Sequence, residues 1–535
     1  MGTTTIELRG DSLVGFRDIT GSSETFHAWN PATGKGVEGD FHSATPAEVD
    51  LAAHLAHEAF PVYSQVKPSD RAAFLKRIAA RIEALADQII ERAHLETALP
   101  KTRLQSETGR TCNQLRLFAT ILEEGSWVGA RIDRADPQRK PLPKPDVRSM
   151  LHPIGPVVVF GASNFPLAFS VAGGDTASAL AAGNPVIVKA HPAHPGTSEL
   201  VARAIRECVR EQGLPEGTFS LLFDSGTAVG KALVQHPFIK AGGFTGSTTA
   251  GRALMDLAAK RPEPIPFYAE MGSTNPVFLL PGALGARGKE IAAQLHGSFT
   301  LGSGQFCTKP GLVFVPQTPA AEPFRSEFCE KVAQSQPLTL LTSGIQKSYV
   351  EAMHGRSGQK DVRPVAHGNA PNVDGAFTAE VAVFETDVPT LLARRDLESE
   401  IFGPSALLIN FSSKPQILQA AQNLSGHLTA TIHGTEEDLR EFAELVEILK
   451  HKVGRIVFNG YPTGVEVCHA MVHGGPYPAS TDGRSTSVGT QAIFRFARPV
   501  CYQDFPDAAL PEELKNGNPF RIWRLVDGQF TRDQL

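Results

Sequence analysis

The sequence contains little that could cross-link or anchor the chain. No apolar run is long enough to span a bilayer, because Gly161, Asn164 and Pro166 interrupt the richest stretch. The N-terminus shows no signal pattern, and Ile6 stands where a myristoylation motif has Ser or Thr. The six cysteines are scattered and form no CxxC pair, which argues against a disulfide framework and a metal site: Cys112, Cys208, Cys307, Cys329, Cys468 and Cys501. We therefore expect a cytoplasmic protein that binds neither a metal nor a membrane.

A strong excess of charge is also missing. The 51 Lys and Arg against 56 Asp and Glu give a formal net charge of −5, and no basic cluster offsets this balance. We therefore expect no nucleic-acid partner. With 535 residues, of which 41% are hydrophobic, the chain is long enough to bury large cores in two or more domains.

Helices are predicted before residue 130. Thr45 to Glu48 read as a capping box with proline at the first helical position, which opens a helix. A second helix from about Ser69 carries apolar residues at helical spacing as far as Ile89.

Strands and helices then alternate. A helix is expected from about Leu167, and further helical segments follow each of the next runs. The β-branched and aromatic runs that predict strands lie at 156–160, 185–189, 218–223 and before 247. This order predicts a doubly wound parallel sheet, which binds ligands at the carboxyl ends of its strands.

We expect an α/β protein with three parts. A doubly wound parallel-sheet domain comprises 1–135 and 151–271, and a second α/β domain comprises 272–489. The segments 136–150 and 490–535 form a small β element and a C-terminal tail. The first of these segments is proline-rich and charged, whereas 492–502 alternates like a strand. Since an exposed edge strand usually finds a partner, this strand should pair with 136–150 or with another subunit, giving a homodimer or homotetramer.

Cys307, in the segment GQFCT, is the sharpest chemical feature. Small residues around one cysteine suit a nucleophile on a tight loop beside a helix start, where backbone N–H groups favour the thiolate. For a cysteine taken alone, an inert buried thiol is the commoner explanation.

Two further residues fit the same chemistry. Glu270 follows a predicted strand among small residues, where a carboxylate can act as a general base. Asn164 lies where a strand turns toward a helix, and its amide could donate to a developing oxyanion. Alone, Glu270 would more often be a surface acid or a helix cap, and Asn164 an ordinary turn residue.

Two segments could hold a cofactor. Lys189 ends a predicted strand and could contact ribose hydroxyls or a phosphate, although an exposed lysine is the simpler interpretation. The turn from Gly246 to Gly251 opens a helix and could cradle a pyrophosphate. It is not a GxGxxG motif, and it lacks the lysine of a P-loop.

Together these segments resemble the aldehyde dehydrogenase family, in order and spacing, from about Thr45 to Tyr502. The resemblance makes Cys307 the nucleophile, Glu270 the general base and Asn164 the oxyanion donor. It also assigns NAD(P) contacts to Lys189, Phe244, Gly246, Ser247, Gly251, Glu400 and Phe402.

The resemblance implies a reaction and a role for each part of the chain. An aldehyde is oxidised to its acid through a thiohemiacetal and then a thioester on Cys307. Glu270 implies a free acid product, since the acylating branch of the family lacks this base. The first domain would bind NAD(P), the second would carry the nucleophile, and the small β element would serve oligomerisation.

One departure from the family concerns the cofactor. Relatives that prefer NAD often have a glutamate three residues after the cofactor lysine, and Pro192 stands there in this chain. His191, Thr197 and Ser198 could help to hold a 2′-phosphate. We therefore expect NADP to be accepted and preferred over NAD.

The substrate prediction rests on a finer resemblance. Several segments resemble the branch that oxidises α-ketoglutaric semialdehyde (2,5-dioxopentanoate), which is also similar to fatty aldehyde dehydrogenases. A carboxylated aldehyde needs a cation, and Arg110 and Arg116 lie on one predicted helix with Gln114 between them. For either arginine alone, a structural ion pair or solvent exposure is the commoner explanation. The substrate tunnel is expected to be narrowed, in favour of a short aldehyde, by Phe165, Phe306 and Val465.

Two other functions deserve comparison. A cysteine hydrolase would use Cys307 with one of the 17 histidines, but it would leave Lys189, the glycine turn and Glu400 unexplained. A non-catalytic structural relative would be expected to lack Cys307 or Glu270, and both are present.

Overall fold

A computed structural model describes residues 6–22, 24–371 and 373–535. The first five residues, on which part of the N-terminal prediction and of the first predicted domain depends, lie outside the described residues. Within the described ranges, no helix is long and apolar enough to cross a membrane.

The predicted N-terminal helices form, with one change. Thr45 and Glu48 make the predicted capping box, in which the Thr45 N–H donates to a Glu48 carboxylate oxygen at 2.7 Å. The second helix ends at Ala84, because Leu85 leaves helical geometry at φ −104° and ψ 7°. The prediction that Ile89 belongs to this helix is therefore wrong. The four helices are Pro46–Tyr63, Pro68–Ala84, Ala86–Thr97 and Lys101–Glu124.

The first large sheet confirms the predicted doubly wound core. Its strands lie in the order Phe267–Glu270, Ala241–Thr245, Val157–Phe160, Val186–Lys189, Phe219–Leu222, Ser12–Val14 and Arg17–Ile19. The first five strands are parallel, and the last two are antiparallel additions. The intervening helices are Gly174–Ala182, Pro195–Glu211, Ala228–Gln235 and Thr248–Ala259.

The helix expected from Leu167 begins only at Gly174. One carboxylate oxygen of Glu107 accepts hydrogen bonds from the backbone N–H groups of Leu167 and Ala168, at 2.9 and 3.0 Å. This contact holds the segment after Asn164 as an irregular turn, so the prediction of helix there is wrong.

The second large sheet is also mainly parallel. Its order is Arg363–His367, Ala382–Asp387, Ser405–Phe411, Leu312–Pro316, Val277–Leu279, His427–His433 and Val453–Phe458. Only the first of these strands is antiparallel to its neighbour. The accompanying helices are Pro281–Thr300, Glu322–Ala333, Ser343–Ser357, Val388–Ala393, Lys414–Asn423, Glu436–Glu441 and Ala443–Leu449.

A smaller sheet joins the middle of the chain to its end. Its order is Ala497–Gln503, Val147–Pro153, Arg131–Asp133, Arg524–Val526 and Gln529–Thr531. The first two strands pair antiparallel over seven residues each. This confirms the predicted pairing within the chain for 147–150, whereas the partner strand continues to Pro153, beyond the predicted segment. The strand expected from residue 492 is wrong in its first part, where Thr490–Phe496 forms a 3-10 helix. That helix buries Ala492, Ile493 and Phe496 against the first domain, which strand alternation would not do.

Candidate active site

A cavity of about 1080 Å³ lies between the two large sheets. It opens at the carboxyl ends of the first sheet's strands, where such folds bind ligands, and at the amino ends of several strands of the second. Predicted site residues from distant segments line it together, namely Asn164, His191, Phe244, Gly246, Ser247, Glu270, Cys307, Glu400 and Phe402.

Cys307 lies deep in the protein with its surface open to this cavity. It occupies a loop between the 3-10 turn Leu301–Gly304 and the strand Leu312–Pro316, so the predicted helix start is wrong. The Asn275 side-chain amide donates to the carbonyls of Cys307 and Lys309, at 2.8 and 3.0 Å, which fixes the loop. Burial, together with the carboxylates of Glu270 and Glu400, raises the pKa of the thiol well above its ordinary value. The expected preference for thiolate is thus not present in this arrangement.

His473 is a site residue that the sequence did not single out. Its Nε2 lies 3.4 Å from the Cys307 Sγ and 3.0 Å from a Glu270 carboxylate oxygen, and the ring is buried. The cysteine hydrolase alternative required a histidine beside Cys307. The sequence contains 17 histidines and no motif that marks this one.

Glu270 ends the strand Phe267–Glu270 and is held on two sides. His473 contacts one carboxylate oxygen, and the Ser487 hydroxyl donates to the other. Burial alone would raise the pKa of this carboxyl, but the charge and hydrogen bonds of His473 and Ser487 hold it below its ordinary value. The carboxylate is therefore available as a proton acceptor near neutral pH.

Asn164 is positioned by the helix Lys101–Glu124. Arg103 of that helix donates to the Asn164 carbonyl at 2.7 Å, while Glu107 accepts from the backbone N–H groups of Leu167 and Ala168. One N–H of the Asn164 amide donates to the Gln305 carbonyl at 2.9 Å. Since a side-chain amide has two N–H groups, the second is left for an oxyanion formed beside Cys307.

The cofactor predictions divide into two groups. Phe244, Gly246, Ser247 and Phe402 face the cavity, with Ser247 capping the exposed first turn of Thr248–Ala259. Glu400 also faces it, and burial raises the pKa of its carboxyl to about 7 against the opposing charge of Lys309.

His191 lines the cavity as well, but the other predicted cofactor residues are engaged in contacts within the protein. The buried Lys189 amine donates to the Asp224 carbonyl at 2.8 Å, and burial lowers its pKa to about 8. Ser198 donates to the His194 carbonyl at 3.0 Å, and Thr197 to Glu96 at 2.7 Å. These hydroxyls are buried because the first turn of Pro195–Glu211 packs on the helix Ala86–Thr97. Gly251 is a packing position, where a Cβ would lie 2.7 Å from the Met271 side chain.

The cavity fits a dinucleotide. Its volume is large enough for such a ligand, and the exposed helix N-terminus at Ser247 suits a pyrophosphate. Gly272 lines the same wall, and a Cβ there would collide with the Glu400 carboxylate. The glycine thus lets the Glu400 carboxylate approach the backbone at this wall of the cavity.

Aromatic rings and two arginines lie together near Cys307. Phe165 and Phe306 have ring centroids 5.0 Å apart, and the Arg103 guanidinium lies over both. Arg110 lies over Phe169, 5.2 Å from the ring centroid, and the Phe169 ring is 6.2 Å from that of His473. The predicted Phe165, Phe306 and Arg110 are thus gathered on one side of the nucleophile.

The other residues predicted to contact the substrate lie in different surroundings. Gln114 is buried against Gly174, near the Ser487 carbonyl, so it lies behind Glu270. Val465 is half-buried in a loop whose carbonyls at 462 and 464 accept hydrogen bonds from Arg455. Arg116 forms a surface ion pair with Glu83 and so lies outside the site. This matches the alternative interpretation, in which the arginine makes a structural ion pair.

A half-buried cysteine, a carboxylate base and an amide donor around a dinucleotide-sized cavity are the groups that a cysteine-dependent oxidoreductase requires. Residues 19–496 match the model of the aldehyde dehydrogenase family, and the chain belongs to that family. The family acts on aldehydes with NAD(P), which rules out the cysteine hydrolase and structural-relative interpretations.

Three similar proteins illustrate this membership. The chain is 49% identical, over 98% of its length and 100% of the relative, to alpha-ketoglutaric semialdehyde dehydrogenase 2 of Azospirillum brasilense. It is 46% identical, over 98% and 100%, to alpha-ketoglutaric semialdehyde dehydrogenase of Acinetobacter baylyi. In fold it is similar to a 1-pyrroline-5-carboxylate dehydrogenase from Thermus with bound NAD, with a TM-score of 0.77, 21% identity and 92% of each chain covered.

Proposed function

We propose that this enzyme oxidises 2,5-dioxopentanoate to 2-oxoglutarate. The observation that carries the proposal is Arg110. Its side chain is half-buried, close enough to Cys307 and Glu270 for their charges to act on it. Its Nη1 atom is buried and has no hydrogen-bond partner among the described residues. An unpaired guanidinium next to the nucleophile suits the far carboxylate of a semialdehyde. The two relatives named for this substrate support the same choice.

The first half of the reaction follows from the contacts of Cys307. The Cys307 thiol transfers its proton to the His473 Nε2 across 3.4 Å, which gives the imidazolium whose charge acts on Glu270. The sulfur then attacks the aldehyde carbon to form a thiohemiacetal. The Asn164 amide and the Cys307 N–H donate to the oxygen that gains negative charge. A nicotinamide cofactor, held by cavity residues such as Ser247 and Glu400, would supply the hydride acceptor for oxidation of this adduct to a thioester.

Glu270 performs the second half. It accepts a proton from a water molecule, the water oxygen bonds to the thioester carbon, and the carbon–sulfur bond breaks. The products are the carboxylate and the free Cys307. Ser487 and His473 hold the Glu270 carboxylate in the range where it is ionised before this step.

We also propose that NADP is preferred over NAD. Pro192 replaces the glutamate that would repel a 2′-phosphate. His191 lines the cavity, and its Nδ1 accepts from the Ala193 N–H at 3.1 Å, which leaves the Nε2 hydrogen for a phosphate oxygen. Turnover with NAD alone, and none with NADP, would contradict this proposal.

A further proposal concerns the assembly of the protein. The strand Ala497–Gln503 forms one edge of the small sheet, and exposed aromatic rings lie close to it in sequence, at Phe494 and Phe505. We propose that this sheet joins two or four copies of the chain, and that the protein acts in the cytoplasm. Sedimentation of the purified protein measures the first point, and a monomer at micromolar concentration would contradict it.

The test of the proposed activity is NAD(P)H formation by the purified protein. Four aldehydes are compared, each with NAD and NADP: 2,5-dioxopentanoate, succinic semialdehyde, glutaraldehyde and a long-chain aldehyde. We expect the highest kcat/KM with 2,5-dioxopentanoate and no turnover by Cys307→Ala. Faster turnover of the long-chain aldehyde would contradict the substrate and keep the mechanism.

A further inference from the structure

The three groups around the nucleophile have the composition of a metal site. Cys307, Glu270 and His473 each offer one ligand atom, and these atoms all lie within 4.8 Å of one another. The ligands are separated by 37 and 166 residues along the chain. Such a cluster is invisible to the spacing rules that argued against a metal site from the sequence.

The distances suit a tetrahedral ion. Zinc binds sulfur at about 2.3 Å, and imidazole nitrogen and carboxylate oxygen at about 2.0–2.2 Å. A tetrahedron of these bonds places sulfur about 3.5 Å from nitrogen, and nitrogen about 3.3 Å from oxygen. The observed separations are 3.4 Å for Cys307 Sγ to His473 Nε2, and 3.0 Å for His473 Nε2 to Glu270 Oε1. These two separations are within a few tenths of an ångström of the tetrahedral values, and the third, from the Cys307 Sγ to a Glu270 carboxylate oxygen, is at most 4.8 Å.

The surroundings also favour coordination. The hydroxyl of Ser487 holds the second Glu270 oxygen, so the carboxylate is oriented by a contact behind it. Because Cys307 opens onto the cavity, the fourth position of the ion would face solvent or substrate. The positive charge of Arg110 opposes the ion, and the carboxylate of Glu400 favours it. The metal also makes the thiol lose its proton, whatever the pKa of that thiol in the free enzyme.

We propose that Zn²⁺ binds to Cys307, Glu270 and His473 and reversibly inhibits the enzyme. The ion occupies the sulfur lone pair that must attack the aldehyde, so inhibition should be competitive with the aldehyde. Chelation should restore activity fully, since no covalent bond in the protein changes.

A second cluster must be separated from this one. Asp50, His54 and His236 also converge, with carboxylate-to-imidazole distances of 3.4 and 3.2 Å, but two of these three residues are exposed and none is a cysteine. Occupation of this surface cluster would produce no thiolate signal and no inhibition.

The test uses Co²⁺ as a spectroscopic substitute for Zn²⁺ in the full-length, metal-free enzyme. We expect an intense near-ultraviolet band from sulfur-to-cobalt charge transfer, which Zn²⁺ abolishes by displacing Co²⁺. Cys307→Ser should remove the band, and Glu270→Gln or His473→Gln should weaken Co²⁺ affinity at least tenfold. Cys468→Ser and the double variant His54→Ala/His236→Ala serve as controls and should bind Co²⁺ unchanged.

Thermal unfolding of each variant shows whether it is folded. A charge-transfer band that persists in Cys307→Ser, or equal Co²⁺ affinity without His473 and Glu270, would overturn the proposal. Absence of any Co²⁺ or Zn²⁺ binding by the folded wild-type enzyme would do so as well. The binding readout needs no aldehyde, so it succeeds or fails independently of the proposed substrate.

Discussion

Replacing Arg110 with methionine tests the substrate assignment most directly. The Arg110 side chain is half-buried, and its buried Nη1 atom has no hydrogen-bond partner within the described ranges. A substrate carboxylate that accepts two charge-assisted hydrogen bonds would gain about 1.5–3 kcal/mol from each, or about 3–6 kcal/mol together. We therefore expect Arg110→Met to lower kcat/KM for 2,5-dioxopentanoate by about two to four decades. For pentanal, which has the same chain length and no carboxylate, the change should be less than about threefold.

We expect that Arg110→Met does not lower the thermal stability of the protein. Burial lowers the pKa of Arg110, although the charges of Glu107, Cys307 and Glu270 favour its ionised form. Removing a partly buried charge that lacks a full set of hydrogen-bond partners does not leave a broken ion pair behind. Thermal unfolding should therefore occur at the same or a higher temperature than in the wild type.

Arg116 provides the matched control on the same helix. It forms an ion pair with Glu83 in which both side chains are about two-fifths exposed, at 40% and 44%. Such pairs contribute about 0–1 kcal/mol, so Arg116→Met should leave kcat/KM for both aldehydes unchanged. If Arg110→Met reduced turnover of pentanal as much as that of 2,5-dioxopentanoate, the guanidinium would have no role in recognising the carboxylate.

Three further expectations follow from the site. Because burial and nearby carboxylates raise the pKa of Cys307, its alkylation by iodoacetamide in the free enzyme should still accelerate above pH 9, and a plateau below pH 8 would contradict this. Asn164→Ala should lower kcat by about two to three decades at unchanged cofactor affinity, and a loss below tenfold would remove its oxyanion role. Glu107→Leu leaves the N–H groups of Leu167 and Ala168 unpaired, at about 1–3 kcal/mol each. It should melt lower than Glu107→Gln, and equal melting temperatures would refute the contact.

Much of the fold could be predicted because it rests on local patterns. The capping box at Thr45 and the β-branched strands of the first sheet require only neighbouring residues and hydrophobic periodicity. The errors arose where a distant contact decided the local structure. Glu107 keeps Leu167 out of a helix, and the packing of Phe496 on the first domain converts the expected strand into a 3-10 helix.

The same distinction explains the site. Cys307, Glu270 and Asn164 lie in segments whose neighbours resemble a known pattern, so the sequence pointed to each of them. Ser198 follows a plausible cofactor lysine, yet the packing of its helix turns the hydroxyl inward. His473 carries no local signal at all, and only the folded chain brings its ring to the nucleophile.

The late position of His473 has a consequence for synthesis of the protein. The ribosome synthesises Cys307 before its imidazole partner His473, which follows 166 residues later. At typical elongation rates this is a delay of roughly 8–33 s. Throughout that interval the nascent chain carries the nucleophile without His473, the Ser487 hydroxyl, or the strand Ala497–Gln503 that completes the small sheet. The catalytic centre is therefore complete only near the end of translation. A chain truncated before residue 473 lacks the imidazole beside Cys307 and should be inactive.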